Sequence, residues 1–271
     1  MAPRARRRDP DDPLAAYRRI RKPMPPPERV EPDRRRRMQE RSDEEELRLT
    51  TSPREFVDRV DAGRQLAALL RPLAGEDAVI LGIPRGGVEV AAVVAQDLDA
   101  PLDVVIPRKI GAPNNPELGL GAVAEGVEVL DSGLIEALAV SPAYLASEIA
   151  RQQEEIRRRA NAYRGGRPTM DIADGVAVVV DDGVATGGTA VAALRWARAR
   201  GAARVILAVP VAPAEGVDRL RAEADDVVVL VAPRMFYAVG QWYVDFPQVS
   251  DRRVVELLAA ARRRGEDEEP S

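Results

Sequence analysis

The chain has 271 residues, of which 45% are hydrophobic, and a formal net charge of −4; these values are typical of a globular protein and argue against bulk nucleic-acid binding. It contains no cysteine and no histidine, which excludes disulfides, thiolate chemistry and the most common general base. Because no stretch is apolar enough to cross a membrane and the N-terminus lacks a signal-peptide core, we expect a cytoplasmic protein without a membrane partner.

The first 51 residues are rich in proline and in blocks of charge. Residues 1–50 carry 15 basic and 11 acidic side chains, in segments such as PMPPPERVEPDRRRR. Such a composition cannot bury enough apolar surface to fold, so we predict a disordered tail over residues 1–51. The alternative is an arm that binds nucleic acid or membrane, but the acidic residues interleaved with the arginines favour a solvated tail.

From residue 52 onward, apolar runs alternate with helical patterns, beginning with a helix start near Ser52. Strands are predicted at 78–84, 101–107, 175–180, 203–211 and 226–232, and two short strands within 121–131. Helices are predicted at 86–98, 141–164, 188–200, from 213 and at 251–264. Alternation of this kind predicts an α/β domain over residues 52–264, with a parallel β-sheet flanked by helices. Residues 265–271 are predicted to fray.

The stretch VVVDDGVATGGT, residues 178–189, combines an apolar strand with two carboxylates and a loop of small residues. Ligands of parallel sheets bind beyond the carboxyl ends of strands, where the next helix begins. Backbone N–H groups in a loop without bulky side chains, together with the positive end of that helix, form a site for a phosphate monoester. The loop residues concerned are Ala185, Thr186, Gly187, Gly188 and Thr189.

Asp181 and Asp182 lie at the rim of the same loop. Two adjacent carboxylates can accept hydrogen bonds from the vicinal hydroxyls of a ribose, and they can also hold a metal ion. In a chain without histidine or cysteine that metal must be a hard cation bound by oxygen atoms, which favours Mg²⁺. The alternative is a polar strand end followed by a tight turn.

This stretch closely resembles the signature of type I phosphoribosyltransferases that binds phosphoribosyl diphosphate (PRPP). Further segments, including LGIPRGGVEVA and RKIGAPNNPELGLGAVAEG, resemble a bacterial and archaeal subfamily of predicted phosphoribosyltransferases of unassigned substrate. The resemblance spans roughly residues 52–260 and implies that fold with a small hood. It also implies that Asp181 and Asp182 hold the ribose hydroxyls and that residues 185–189 hold the 5-phosphate.

The segment IPRGG, residues 83–87, matches the place of the pyrophosphate loop in that family, where a non-proline cis peptide is often found. Arg85 can pair with a phosphate through two hydrogen bonds, and Gly86 and Gly87 offer backbone N–H groups. An ordinary strand-to-helix turn with a surface arginine is the alternative.

Residues 108–120 are predicted as a long loop rich in glycine, proline and asparagine. The resemblance implies that this loop closes over the diphosphate, with Arg108 and Lys109 stabilising the leaving group. Of the 40 basic residues 38 are arginine, and Lys109 is the single lysine beyond the tail. A compact ammonium charge there suits a leaving diphosphate. A surface loop with arbitrary charges is the alternative.

The segment 234–250 is expected to supply the hood, because half of the ten aromatic residues fall within it. Trp242 and Tyr243 are the candidates for stacking on an acceptor base; a satellite hydrophobic cluster or a contact in a homodimer are the alternatives. Ala185 occupies a position where enzymes acting on 6-oxopurines commonly carry aspartate, which weakens that assignment.

These observations predict an enzyme that transfers the 5-phosphoribosyl group from PRPP to a nitrogen acceptor, a small molecule such as a nucleobase, and releases pyrophosphate. A non-catalytic PRPP sensor is the main alternative, and a hydrolase with water as acceptor is another. The basic pair in the predicted loop favours the enzyme over the sensor.

Overall fold

The computed structural model describes residues 56–268. The predicted tail of residues 1–51, the predicted helix start at Ser52 and the last three residues lie outside this range.

The core of the domain is a five-stranded parallel sheet with the strand order β2-β1-β6-β7-β8. Its strands are nearly continuous apolar runs whose side chains are mostly buried. Such runs form where both faces of a sheet are covered, which confirms the predicted parallel sheet. The strands are β1 (Ala78–Gly82), β2 (Leu102–Val104), β6 (Val176–Val180), β7 (Arg204–Val211) and β8 (Asp226–Val231).

Helices cover both faces of this sheet because alternate strand residues point to opposite sides. The helices are α1 (Arg59–Leu70), α2 (Gly86–Leu98), α3 (Ser132–Ala137), α4 (Pro142–Arg164), α5 (Gly188–Ala199), α6 (Ala214–Arg221) and α7 (Asp251–Glu268). Ile80 and Val178 face a core built with α1, α2, α4 and α7, whereas Val79 and Val179 face α5 and α6. Within residues 56–268, no helix is both long and apolar enough to span a membrane.

Residues 108–130 form a second, antiparallel sheet, so the prediction of a loop over 108–120 is wrong. Its strands are β3 (Arg108–Ala112), β4 (Asn115–Ala124) and β5 (Val127–Leu130). The glycines that suggested a loop permit close packing instead: a Cβ on Gly111 would lie 2.8 Å from the Cα of Pro116. The two short strands predicted within 121–131 are confirmed.

The helix at 86–98 has the predicted bounds, and α4 begins after Ser141, whose hydroxyl accepts a hydrogen bond from the backbone N–H of Tyr144. The C-terminal helix is longer than predicted. It ends at Glu268 rather than at residue 264, because each added residue extends an existing helix by one backbone hydrogen bond without a new nucleation cost.

A buried ion pair attaches α4 to the edge strand β2. Arg164 Nε donates to Asp103 Oδ1 at 2.9 Å, and the side chains are only 6% and 2% exposed. Arg164 Nη2 also donates to the carbonyl oxygen of Val104 at 2.6 Å, and Asp103 Oδ2 accepts from the backbone N–H of Met170 at 3.0 Å. With these partners, the desolvation cost of both charges is offset by hydrogen bonds.

Arg164→Met should lower the free energy of unfolding by about 3–5 kcal/mol, because it leaves Asp103 buried without a cation. Arg157→Met is the matched control on the same helix: Arg157 pairs with Glu154, but the two side chains are 60% and 72% exposed, so we expect a loss of about 0–1 kcal/mol. Urea unfolding measures both; equal losses in the two variants would contradict a structural role for the buried pair.

Candidate active site

The candidate site lies at the carboxyl edge of the parallel sheet, where two loops meet. β1 and β6 are hydrogen-bonded neighbours, and their last residues, Gly82 and Val180, are paired. The chain after β1 is IPRGG and the chain after β6 is DDGVATGGT. Strand pairing therefore brings together two segments that are almost a hundred residues apart in the sequence.

The two glycines of the first loop leave space for the two carboxylates of the second. A Cβ on Gly86 would lie 1.8 Å from Asp182 Oδ2, and a Cβ on Gly87 would lie 2.7 Å from the Cα of Asp181. Neither distance is physically possible without displacement of the neighbour. Gly86 and Gly87 are therefore required for packing, in addition to any N–H groups they offer a ligand.

The two carboxylates differ in their partners. Asp181 Oδ1 accepts a hydrogen bond from the backbone N–H of Asp182 at 2.9 Å, whereas Asp182 Oδ2 accepts from Arg59 Nε at 2.8 Å. Burial, followed by the neighbouring charge of Asp182, raises the pKa of Asp181 well above its usual range. Burial also raises the pKa of Asp182, but the hydrogen bond from Arg59 opposes that rise. Asp182 is thus the member of the pair with a compensating cation.

Sequence reasoning missed Arg59, although a signal was present. Arg59 starts α1 and shares the buried face of that helix with Ala62, Leu66 and Leu70. A charged residue in phase with an apolar stripe is rarely buried unless it has a partner. That phase could have identified Arg59 as a residue that binds an acidic group.

Residues 185–189, the cradle predicted to bind a phosphate, lead into the N-terminus of α5. Gly187 is the N-cap of α5 with φ of 78°, a left-handed conformation that favours glycine, and no side chain caps the helix. Ala185 and Thr186 are exposed, and Thr189 is half-buried in the first turn of α5. Uncapped N–H groups at a helix N-terminus bind anions well.

A cleft of about 360 Å³ opens beside this cradle, and two cations line it. Lys109 comes from β3 and Arg219 from α6; both share the cleft with Thr186, Gly188 and Thr189. No local pattern pointed to Arg219, because only the packing of α6 brings it near the cradle. One carboxylate, that of Asp131, also lines the cleft and accepts from the backbone N–H of Leu134. The two cations and two hydroxyl donors outnumber it and suit an anionic ligand.

The side chains of Arg108 and Lys109 lie on opposite faces of the antiparallel sheet. Successive residues of a strand point to opposite faces, and the Nε atom of Arg108 donates to Gln152 Oε1 on α4 at 2.9 Å. Burial, with the nearby charge of Arg159, lowers the pKa of Arg108. Lys109 instead lines the cleft and pairs with Glu117 Oε2 at 3.2 Å. The structure therefore places Arg108 away from the cradle, and its assignment to the leaving group stays a prediction.

Arg85 is half-buried and occupies the N-cap position of α2. The peptide bond between Pro84 and Arg85 is cis, which agrees with the expectation from the family resemblance. The contact of Arg85 with a diphosphate stays a prediction.

The rings of Trp242 and Tyr243 are buried rather than available for stacking. Each is 7% exposed, in a cluster with Phe56, Ala62 and Val211. The hydroxyl of Tyr243 donates to the carbonyl oxygen of Asp182 at 2.6 Å. Tyr243 therefore supports the backbone of the acidic loop, the segment that begins with Asp181 and Asp182. The satellite hydrophobic cluster is the alternative that the structure favours, and the stacking assignment of this pair is corrected.

A parallel sheet whose carboxyl edge joins paired carboxylates to a glycine-rich anion cradle has the fold of the type I phosphoribosyltransferases. The chain belongs to the phosphoribosyl transferase domain family, whose profile matches residues 58–247.

Relatives of known sequence or structure agree with this assignment. Two Mycobacterium tuberculosis proteins, from strains CDC 1551 / Oshkosh and ATCC 25618 / H37Rv, are each named "Putative phosphoribosyl transferase". They are 48% identical to this chain over 209 residues, which is 77% of this chain and 47% of theirs. The chain thus spans about half the length of these relatives. The crystal structure of TT1426 from Thermus thermophilus is similar with a TM-score of 0.66 and 47% identity, over 76% of this chain and 98% of that one.

Gly86→Ala should disrupt the acidic loop, because the new methyl group would occupy the position of the Asp182 carboxylate. We expect the free energy of unfolding to fall by about 1–3 kcal/mol, the usual cost of overpacking, as measured by urea unfolding. Gly216→Ala on α6 is the matched control, since its Cβ would meet only Pro213 at 3.4 Å. Unchanged stability in Gly86→Ala would contradict the packing role of Gly86.

Proposed function

We propose that this protein transfers the 5-phosphoribosyl group from PRPP to a nitrogen atom of a small-molecule acceptor and releases pyrophosphate. The observation that carries the proposal is the meeting of the Asp181–Asp182 pair with the IPRGG loop beside the cradle at residues 185–189. A ribose that carries a 5-phosphate and a 1-diphosphate needs acceptors for its hydroxyls between two anion sites.

Each part of PRPP has a matching region. The 5-phosphate is assigned to the N–H groups and hydroxyls of Thr186 to Thr189, next to the cleft lined by Lys109 and Arg219. The ribose 2- and 3-hydroxyls donate to the carboxylates of Asp181 and Asp182. The diphosphate is assigned to Arg85 and the N–H groups that follow it, at the N-terminus of α2.

Mg²⁺ is the metal that the donor set fits, because carboxylate oxygens are its preferred protein ligands. Asp181 and Asp182 would hold it, and oxygens of PRPP and water would complete the coordination shell. This division suits Mg²⁺, which usually keeps several waters and binds through one or two carboxylates together with substrate phosphates. Bound in this way, Mg²⁺ neutralises charge on the diphosphate.

In the reaction, the bond between C1 of the ribose and the diphosphate oxygen breaks, and pyrophosphate leaves with the electron pair. The acceptor nitrogen forms the new bond to C1 and then loses its proton. C1 gains positive charge in the transition state, so catalysis depends on holding the reactants in line and stabilising the departing charge. Arg85 is assigned to that stabilisation. No strong general base is required, which suits a chain without histidine.

The acceptor is assigned to the space beside residues 234–246. This segment adjoins the ribose site: a Cβ on Gly183 would lie 2.5 Å from a methyl group of Val239. Tyr237 is 86% exposed, and among the aromatic residues of the segment it is the ring with the largest free surface for stacking on a heterocycle. Ala185 in place of aspartate favours acceptors other than 6-oxopurines.

Titration of the full chain with PRPP and Mg²⁺, followed by a pyrophosphate-release screen over nucleobases, tests the proposal. Asp181→Asn with Asp182→Asn should abolish PRPP binding, because the amides cannot replace both charged acceptors. Asp225→Asn with Asp226→Asn is the matched control, an adjacent aspartate pair that pairs with Arg198 and Arg204 near the opposite edge of the sheet. PRPP binding without pyrophosphate release from any acceptor would favour the sensor, and no binding by the parent would refute both.

Lys109→Met and Arg219→Gln should each weaken binding of ribose 5-phosphate by about tenfold, because each removes a cation from the cleft beside the cradle. Arg221→Gln is the matched control two residues away on α6, where Arg221 pairs with Asp218 at 3.5 Å. If Lys109→Met weakened PRPP but not ribose 5-phosphate, Lys109 would belong to the diphosphate instead, as the family resemblance implies.

A further inference from the structure

Arg59 contacts three separate parts of the molecule although it is only 6% exposed. Its Nε donates to Asp182 Oδ2 at 2.8 Å, and its Nη1 donates to the carbonyl oxygen of Pro247 at 2.8 Å. The guanidinium carbon lies 3.8 Å from the centre of the Phe246 ring. Nη1 also lies 3.8 Å from Glu89 Oε2 on α2. One side chain thus joins α1, the acidic loop and the C-terminal segment, by which we mean residues 234–250.

The backbone around Arg59 holds it in this place. Phe56 N–H donates to the carbonyl oxygen of Trp242 at 2.8 Å, and Val244 N–H donates to the carbonyl oxygen of Phe56 at 2.8 Å. The side chain of Asp58 then caps α1 by accepting from the backbone N–H of Asp61. The start of α1 is therefore attached to the C-terminal segment on one side and to the ribose site, through Arg59, on the other.

We propose that Arg59 is a positioning residue of the ribose site: it fixes the orientation of the Asp182 carboxylate and connects that carboxylate to the segment beside the acceptor. This inference rests on the proposed function, because it names the residue that prepares Asp182 for the ribose or its metal. Arg59 acts through Asp182 and is not assigned a contact with the substrate.

The geometry explains why arginine is needed. A planar guanidinium donates along two fixed directions at once, here to a carboxylate and to a carbonyl oxygen, while its face covers an aromatic ring. Because Arg59 holds Oδ2, rotation of the Asp182 carboxylate is restricted. Lysine would keep the positive charge but would lose the two fixed donor directions of the planar guanidinium. A carboxylate held in this way does not need to reorient when the ligand arrives.

The experiment compares Arg59→Met and Arg59→Lys with the parent by titration with PRPP and Mg²⁺ and, separately, with inorganic phosphate. In Arg59→Met we expect the affinity for PRPP to fall by about tenfold or more, the effect of losing a charge-assisted hydrogen bond, while the affinity for inorganic phosphate, which has no ribose, stays that of the parent. In Arg59→Lys we expect a smaller loss for PRPP, because the charge remains but the two fixed donor directions are lost. Arg253→Met is the matched control, since Arg253 pairs with Glu89 on the outer side of the same network; it should follow the parent.

Affinity for PRPP equal to that of the parent in Arg59→Met, or an equal loss of affinity for PRPP and for inorganic phosphate, would overturn the inference and leave Arg59 a packing residue. If Arg59→Met does not fold, Arg59→Lys decides: affinity for PRPP equal to that of the parent would overturn the orienting role. Failure of the parent to bind PRPP would instead refute the proposed function.

Discussion

The packing of two glycines against two aspartates is the constraint on which the rest of the site depends. Parallel pairing of β1 with β6 places the chain after each strand side by side. The loops can then approach only because positions 86 and 87 carry no side chain, and the carboxylate of Asp182 fills the space that a Cβ at 86 would need. The acidic loop and the loop after β1 are thereby packed directly against each other.

That packing has an electrostatic cost, because it holds two negative charges close together. Two adjacent carboxylates are partly removed from water, and burial together with mutual repulsion raises the pKa of Asp181. Arg59 compensates Asp182, and the hydroxyl of Tyr243 supports the backbone of the same residue. These two side chains come from opposite ends of the described chain, so the acidic pair is also a point where the two ends of the domain are joined. Residues of this kind perturb the pKa of their partners for a functional purpose in many active sites.

The antiparallel sheet places two adjacent basic side chains in different environments. Arg108 faces α4 and binds Gln152, while Lys109 faces the cleft beside the phosphate cradle. Both residues were assigned to the same leaving group because a segment rich in glycine, proline and asparagine was predicted to be a loop, in which no pleat separates neighbouring side chains. Once β3 exists, the pleat decides which of the two faces the cradle.

Local periodicity and one contiguous motif were enough to predict the parallel sheet, the order of its helices and the family. The other features of the site arise from packing between elements that are distant in the chain. Packing brings Arg59 to Asp182 over 123 positions and Arg219 to the cleft. It also buries Trp242 and Tyr243 against the start of α1 instead of leaving them for a base. Contacts of this range depend on how whole elements pack, and no local pattern encodes which side chains will then meet.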